Sequence, residues 1–180
     1  KNKKNNIVIG IDKYKKLIDD SKKNIKKIDL STFAKIEFIT LDVYELFKNP
    51  NIISNRLMKR GDKFDMIYGL GGGCVADISK YLAFKWECPL TFIPTILSTD
   101  AMFPNATAYR EDNTVKYHFT KSPEETIFDD SILSSVDYRY HASGWCDLLS
   151  SLIACYCWKN YNDKQIERLQ NNKLKFDRVI

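Results

Sequence analysis

A short apolar run, Met66–Tyr68, leads straight into Gly69-Leu70-Gly71-Gly72-Gly73, and from Cys74 the apolar residues switch to helical spacing. A strand that passes through glycines into a helix gathers several backbone N–H groups in one concave turn at the helix's positive end. Glycine lets an anion approach closely there, and the orphan amides point at it, so the geometry suits phosphate. A second apolar run, Leu90–Ile93, ends in Pro94-Thr95-Ile96-Leu97-Ser98-Thr99-Asp100. It delivers hydroxyls and a carboxylate at another strand's C-terminal edge, where open α/β sheets hold their ligands. Two such edges close together in the chain predict one shared crevice. Taken alone, the glycine run is equally what a tight strand-to-helix turn requires. It lacks the G-x-G-x-x-G spacing of a dinucleotide fingerprint, and no Gly-Lys-Ser/Thr follows it as in a P-loop.

The flanking segments set the architecture. Ile7–Gly10 reads as a first strand, and Asp12–Ile28 is helical in spacing, with a thin stripe of Leu17, Ile18, Ile25 and Ile28. Lys35–Val43 alternates as a strand does, Asn49-Pro50-Asn51 breaks the chain, and Ile52–Arg60 reads as a short amphipathic helix before the Phe64–Tyr68 strand. Strands alternating with helices predict an α/β fold with a parallel, doubly wound, Rossmann-like sheet. After Asp100, two short runs around Glu111-Asp112-Asn113 predict a β-hairpin. Thr126–Asp129 reads as a further buried strand and Asp130–Val136 as a short helix or turn. Gly144 is expected to open a helix through Trp158, with Leu148, Leu149, Leu152, Ile153 and Tyr156 on one face. Asp147 then falls in its first turn, where an acid stabilises the helix by about 0.3–1 kcal/mol. The α/β part would thus end in the start of an α-helical region.

Composition narrows the partners. At 180 residues, with 44% hydrophobic and 28% charged residues, the chain suits one sizeable core. No apolar run approaches the roughly 18 residues of a membrane span, and the opening Lys1–Asn6 stretch is followed by too few apolar residues for a signal peptide. The net charge of +5 resides in residues 1–27, which hold ten lysines against three acids. Without Arg clusters or interleaved aromatics this reads as a solvated helix face, so no nucleic-acid partner is expected. Cys74, Cys88, Cys146, Cys155 and Cys157 are odd in number and lack Cys-x2-Cys spacing, which points to free thiols and a cytoplasmic setting.

In combination, Gly71-Gly72-Gly73-x3-Asp77-x2-Lys80 followed by Pro94-Thr95-x2-Ser98-Thr99-Asp100 resembles a known superfamily. It comprises the iron-containing alcohol dehydrogenases, the glycerol and glycerol-1-phosphate dehydrogenases and the dehydroquinate synthases. The Ser-Thr-Asp variant, with Gly144-Trp145-Cys146-Asp147-Leu148-Leu149 downstream, looks most like the glycerol-1-phosphate dehydrogenase branch. The resemblance spans roughly Ile36–Trp158. It implies a nucleotide-binding α/β domain over 1–143, with 144–180 as the first helix or helices of an incomplete α-helical metal and substrate domain. It also implies NAD or NADP and a divalent zinc or iron ion, and a small phosphorylated polyol or ketone as substrate. A homo-oligomer is expected.

Residue by residue, Gly71, Gly72 and Gly73 would cradle the cofactor diphosphate. By resemblance, Thr95, Ser98 and Thr99 would hydrogen-bond phosphate, ribose or nicotinamide amide. Asp100 would meet the substrate hydroxyls near the reacting carbon as the catalytic candidate, and Asp147 would ligate the metal. Asp77 and Lys80, three apart on one helix face, suit an ion pair, with Asp77 also in a supporting role at the cofactor loop. The family's two metal-binding histidines would have to come from outside this chain, because His118 belongs to the hairpin and His141 to a local hydrogen bond. The family's strand that ends in an acid beneath the adenosine ribose is not legible between Gly10 and Ile36. Two alternatives therefore stay open: a nucleotide- or phosphate-binding subunit without complete catalytic machinery, and a dehydroquinate synthase-like cyclase or lyase. Ala101-Met102-Phe103-Pro104 after Asp100 disfavours the latter, which carries Gly and Lys there.

Overall fold

The computed structural model describes residues 7–27, 35–57, 64–111 and 114–160. Two parallel sheets carry the α/β part. In the first, β1 (Ile7–Asp12) pairs with β2 (Lys35–Thr40), Asp12 standing opposite Thr40. In the second, the order is β3 (Ile67–Gly71), β4 (Leu90–Pro94), β7 (Glu125–Thr126). The helices between them are α1 (Lys15–Asn24), α2 (Val43–Lys48), α3 (Ile52–Leu57) and α4 (Gly73–Trp86). The expected hairpin forms from β5 (Ala106–Glu111) and β6 (Thr114–Phe119), antiparallel with Ala108 opposite Tyr117. Two further helices, α5 (Asp130–Leu133) and α6 (Tyr138–Asn160), complete the described chain.

One apolar cluster joins the two sheets. Leu46, Ile53, Ile78, Tyr81 and Leu82 are buried together, with Ile9 and Ile11 of β1 and Ile67 of β3 packed against them. A second cluster, Ala76, Phe92 and Met102, lies between α4 and the segment that follows Asp100. Helix α4 is therefore the element on which both sheets and the hairpin rest. Among the described helices, none is long and apolar enough to cross a membrane.

Several boundaries differ from the sequence expectation, each for a local reason. The strand expected over Lys35–Val43 stops at Thr40, because the Asp42 carboxylate accepts the Tyr44 amide at 3.0 Å and caps α2. The strand expected to end at Tyr68 continues through Gly71, so Gly72 is the N-cap of α4 and Gly73 its first residue. The buried strand expected over Thr126–Asp129 is Glu125–Thr126, and Ile127 and Phe128 are exposed. There the Asp129 carboxylate has turned to cap α5 through Ser131 and Ile132. The helix expected to open at Gly144 begins at Tyr138, where Asp137 accepts the Arg139 amide at 3.0 Å. Asp147 thus stands in the third turn, beyond reach of the helix-end dipole, and the division expected after residue 143 falls inside α6. The expected helix end at Ile28, the Arg60 end of α3, and Asp112-Asn113 in the hairpin turn lie outside the described residues.

Candidate functional site

The ends of β3 and β4 lie side by side, with Gly71 opposite Pro94. The Thr95 amide donates to the Gly71 carbonyl at 3.0 Å, so the turn after β4 begins tied to the glycine run. From there it folds over the start of α4. A Cβ on Gly72 would lie 2.7 Å from Ile96 Cγ2, and one on Gly73 would lie 3.0 Å from Thr99 Oγ1. Neither Gly72 (φ −96°) nor Gly73 needs a left-handed backbone, so glycine serves close approach here. No side chain caps α4, and its first residues pack directly against Ile96 and Thr99 of the Thr95–Asp100 turn. The two turns expected to converge do so.

The same turn receives α6. The Asp100 amide donates to Asp147 Oδ2 at 3.0 Å, and Ser143 Oγ donates to the Ser98 carbonyl at 3.3 Å. Gly144 is buried against Leu97, whose carbonyl carbon would lie 3.0 Å from a Cβ at that position. Two carboxyl groups, Asp100 and Asp147, therefore face one another at the C-terminal edge of β4. Burial, and then the charge of Asp147, push the Asp100 carboxyl above its ordinary 3.8. A carboxyl raised on folding favours the folded state most below pH 3.8, and that contribution fades as pH rises through its raised range. In metal-free protein, Asp100→Asn is accordingly expected to gain stability on the wild type between pH 4 and pH 7, read from urea midpoints at the two values.

Asp77 and Lys80 form the expected pair, Nζ to Oδ1 at 3.6 Å, but their further contacts go to the hairpin. Lys80 is fully buried and donates to the Pro104 carbonyl at 3.1 Å and to the Ala106 carbonyl. Asp77 Oδ1 accepts the Ala108 amide at 3.4 Å, and its carbonyl accepts Thr107 Oγ1 at 3.0 Å. Burial pushes the Asp77 carboxyl up and the Lys80 ammonium down, while their mutual attraction opposes both. His118 is exposed and stacks on Tyr109 at 5.3 Å, and His141 Nε2 bonds the Leu133 carbonyl at 3.1 Å. Both sit away from the Asp100–Asp147 pair in their bonding.

Two features of this edge escaped the sequence reading. β1 runs two residues past Gly10 and ends in Asp12, so a strand does deliver an acid to the C-terminal edge. In addition, Tyr44 at the start of α2 meets Cys74 of α4, hydroxyl to Sγ at 3.3 Å, a contact that pushes the Tyr44 phenol up to about 12. This ties the ends of β1 and β2 to the first turn of α4. The continuous apolar run Ile7–Ile9 resuming at Ile11 before Asp12 was the available signal.

A family model described as iron-containing alcohol dehydrogenase matches residues 8–135. This chain belongs to that family. Among curated relatives of this iron-containing alcohol dehydrogenase family member is a glycerol-1-phosphate dehydrogenase [NAD(P)+] of Metallosphaera sedula. It is 30% identical over 85% of this chain and 41% of its own length. One from Thermococcus sibiricus is 30% identical over 56% of this chain and 29% of its own. The chain thus spans less than half the length of the relatives it matches. In fold it is similar to a probable glycerol dehydrogenase of Sinorhizobium meliloti (TM-score 0.58, 20% identity, 82% of this chain and 39% of that one). It is also similar to an iron-containing alcohol dehydrogenase of Thermotoga maritima (TM-score 0.55, 19% identity, 81% and 46%).

The cofactors implied by the family fit the edge unequally. Uncapped amides beside a row of hydroxyls suit a dinucleotide diphosphate. Asp147 and Asp100 are hard oxygen donors that suit a divalent cation. Among the described residues, however, no group of three His, Cys, Asp or Glu side chains is placed to hold one, and a catalytic zinc takes about three protein ligands.

Proposed function

We propose that the chain is the nucleotide-binding part of an NAD(P)-dependent, metal-assisted dehydrogenase of a small polyol phosphate, of the glycerol-1-phosphate and dihydroxyacetone phosphate type. The observation that carries this reading is the meeting of three elements at one edge: the Gly71–Gly73 amides, the Thr95–Asp100 turn, and Asp147 bound to the Asp100 amide. In this reading Gly71, Gly72 and Gly73 hold the diphosphate. Thr95, Ser98 and Thr99 orient the phosphate, ribose and nicotinamide, and Asp77 keeps the hairpin beside them. Asp100 holds a substrate hydroxyl near the reacting carbon, and Asp147 contributes one ligand to a zinc or iron ion. When bound, the ion supplies Lewis-acid polarisation of the substrate oxygen. The names of the curated relatives support both the substrate class and the use of either nicotinamide cofactor.

The remaining ligands would come from chain beyond the described residues. The exposed stripe of α6, including Leu152 at 67% and Tyr156 at 70% exposure, supports docking against a further domain or a second protomer of a cytoplasmic homo-oligomer. A binding subunit without its own catalysis is the second reading, favoured by the lack of a three-ligand cluster among the described residues. Titration with NADH and NADPH, followed by nucleotide fluorescence with and without zinc and dihydroxyacetone phosphate, tests the proposal. Saturable binding of at least one nucleotide is expected. No change in any combination would remove both readings as nucleotide sites, and binding without turnover in the longest natural chain would leave the second.

A further inference from the structure

The two edges of the β5–β6 hairpin are finished differently. In an antiparallel ladder the N–H and C=O of one residue point to the same side, and successive residues alternate. On β5, the Ala106 carbonyl accepts from Lys80 and the Ala108 amide donates to Asp77 Oδ1, so α4 closes this edge. Ala106 and Ala108 therefore turn their polar groups away from β6. The register then fixes β6 as well. Ala106 stands opposite Phe119, Ala108 opposite Tyr117 and Arg110 opposite Val115, so these three residues of β6 direct N–H and C=O outward. Among the described residues no strand lies along that side, and the whole of Thr114–Phe119 is exposed. Neither a proline nor a bulge interrupts it.

The side chains of those same residues share one face of the hairpin, with Val115 at 49%, Tyr117 at 68% and Phe119 at 61% exposure. A two-stranded hairpin is marginal by itself, and an open apolar edge recruits a further strand. We propose that β6 pairs antiparallel with β6 of a second copy of this chain, about a two-fold axis at Tyr117, joining two hairpins into one four-stranded sheet. The edge is self-complementary in this register. With Tyr117 opposite its own copy, Val115 falls opposite Phe119, and every such pair exchanges two backbone bonds. A slip of one residue would set outward groups against inward ones, and a slip of two would leave an end residue without its mate. An aromatic side chain carries about 150–250 Å², so Tyr117 and Phe119 together leave roughly 250 Å² of each copy uncovered. Doubled, and with Val115 and the strand backbones added, the contact reaches at most ~1,000 Å², where specific interfaces begin. The dimer is therefore weak. Because the β5 edge is closed, pairing stops at two copies. This interface is separate from the exposed face of α6 and stands without the nucleotide reading.

The test is sedimentation of the whole chain over a range of concentrations, with amide exchange read at both ends of the range. It is run at pH 8, where imidazoles are generally uncharged, because Lys116 of one copy comes opposite His118 of the other. A monomer–dimer equilibrium with a midpoint on the order of 10–100 µM is expected. The amides of Val115, Tyr117 and Phe119 should gain protection as the dimer forms, while those of Lys116 and His118, already turned to β5, change little. Tyr117→Pro removes one outward N–H without touching the hairpin's own ladder, and Tyr117→Lys sets two like charges face to face. Each is expected to weaken association about tenfold or more, and the lysine variant decides if the proline variant does not fold. Leu152→Lys, on the exposed face of α6, should leave association within about twofold. A monomer at every concentration, species larger than a dimer, association that withstands Tyr117→Lys, or protection without alternation overturns the inference. Loss of the dimer with Leu152→Lys but not with Tyr117→Lys moves the interface to α6 and overturns it as well.

Discussion

Lys80→Met is expected to lower the unfolding free energy by about 3 kcal/mol at pH 7, the loss typical of removing one partner from a buried ion pair. Methionine nearly matches the lysine stem in volume, so the loss would report the ammonium and not a cavity. That ammonium is fully buried; it pairs with Asp77 Oδ1 on its own helix, and its bonds to the carbonyls of Pro104 and Ala106 join α4 to the start of the hairpin. Without it, two carbonyls and a largely buried carboxylate lose their donor together. The carboxylate part of the loss depends on pH. Burial already pushes Asp77 above its ordinary 3.8 with Lys80 pulling it down, so removing Lys80 raises it further. A carboxyl raised on folding destabilises the fold once ionised, so the deficit should be greatest at neutral pH and shrink as pH falls toward 4. Asp77→Asn/Lys80→Met should be less unstable than the two single losses added, because neither variant leaves a lone charge in the double. Urea unfolding across this pH range measures all three. A deficit independent of pH would assign the effect to the carbonyls alone. Faster amide exchange at Ala108, relative to the core strand β4, would place the loosening at the hairpin.

How much of this edge the sequence disclosed, and how much it withheld, depends on the range of the forces involved. The hairpin was legible because alternation in Thr114–His118 and the polar turn before it are local signals. The Asp77–Lys80 pair was legible because i,i+3 spacing on a helix brings the two groups together unaided. Their hold on the hairpin was not, since the partners are two accepting backbone carbonyls and one donating amide 24–31 residues away, which leave no mark on residue identity. The end of β3 was misplaced because glycine weakens an isolated strand. Here Gly69 admits Phe92 of β4 and Ser79 of α4, each within 2.7 Å of where a Cβ would stand, so packing overrides propensity. Helix α2 was hidden because alternation continues through Leu41-Asp42-Val43, and only the bond from the Tyr44 amide shows that Asp42 is a cap. The same tertiary logic put Asp12 at the sheet edge: once β1 pairs with β2 as far as Thr40, a strand ending in an acid results.

Gly144→Ala is expected to destabilise the protein by a net amount of about 1–2 kcal/mol, and its sign is the informative part. Inside a helix with no neighbour, replacing glycine by alanine stabilises by about 1 kcal/mol. In the third dimension the added methyl meets Leu97: it would sit against the carbonyl oxygen and 3.0 Å from the carbonyl carbon. Both are backbone atoms of the turn, so no rotamer change relieves the contact, and overpacking of this kind costs about 1–3 kcal/mol. Gly144 is the one residue of α6 that is buried, and most of the large apolar side chains from Trp145 to Trp158 face outward. The helix is therefore held to the Leu97–Asp100 turn by this contact together with the bonds from Ser143 to Ser98 and from Asp100 to Asp147. Displacing α6 by even a fraction of an ångström lengthens the latter and separates the two carboxyl groups. Gly144→Ala should consequently weaken binding of a divalent ion more than it weakens binding of a dinucleotide, whose diphosphate amides belong to α4. Leu152→Ala, on the exposed face of the same helix, is expected to stay within about 0.5 kcal/mol of wild type in the isolated chain. An alanine at 144 that stabilised the protein would show that α6 does not lie on the Leu97–Asp100 turn, and the assignment of Asp147 to this edge would fall with it.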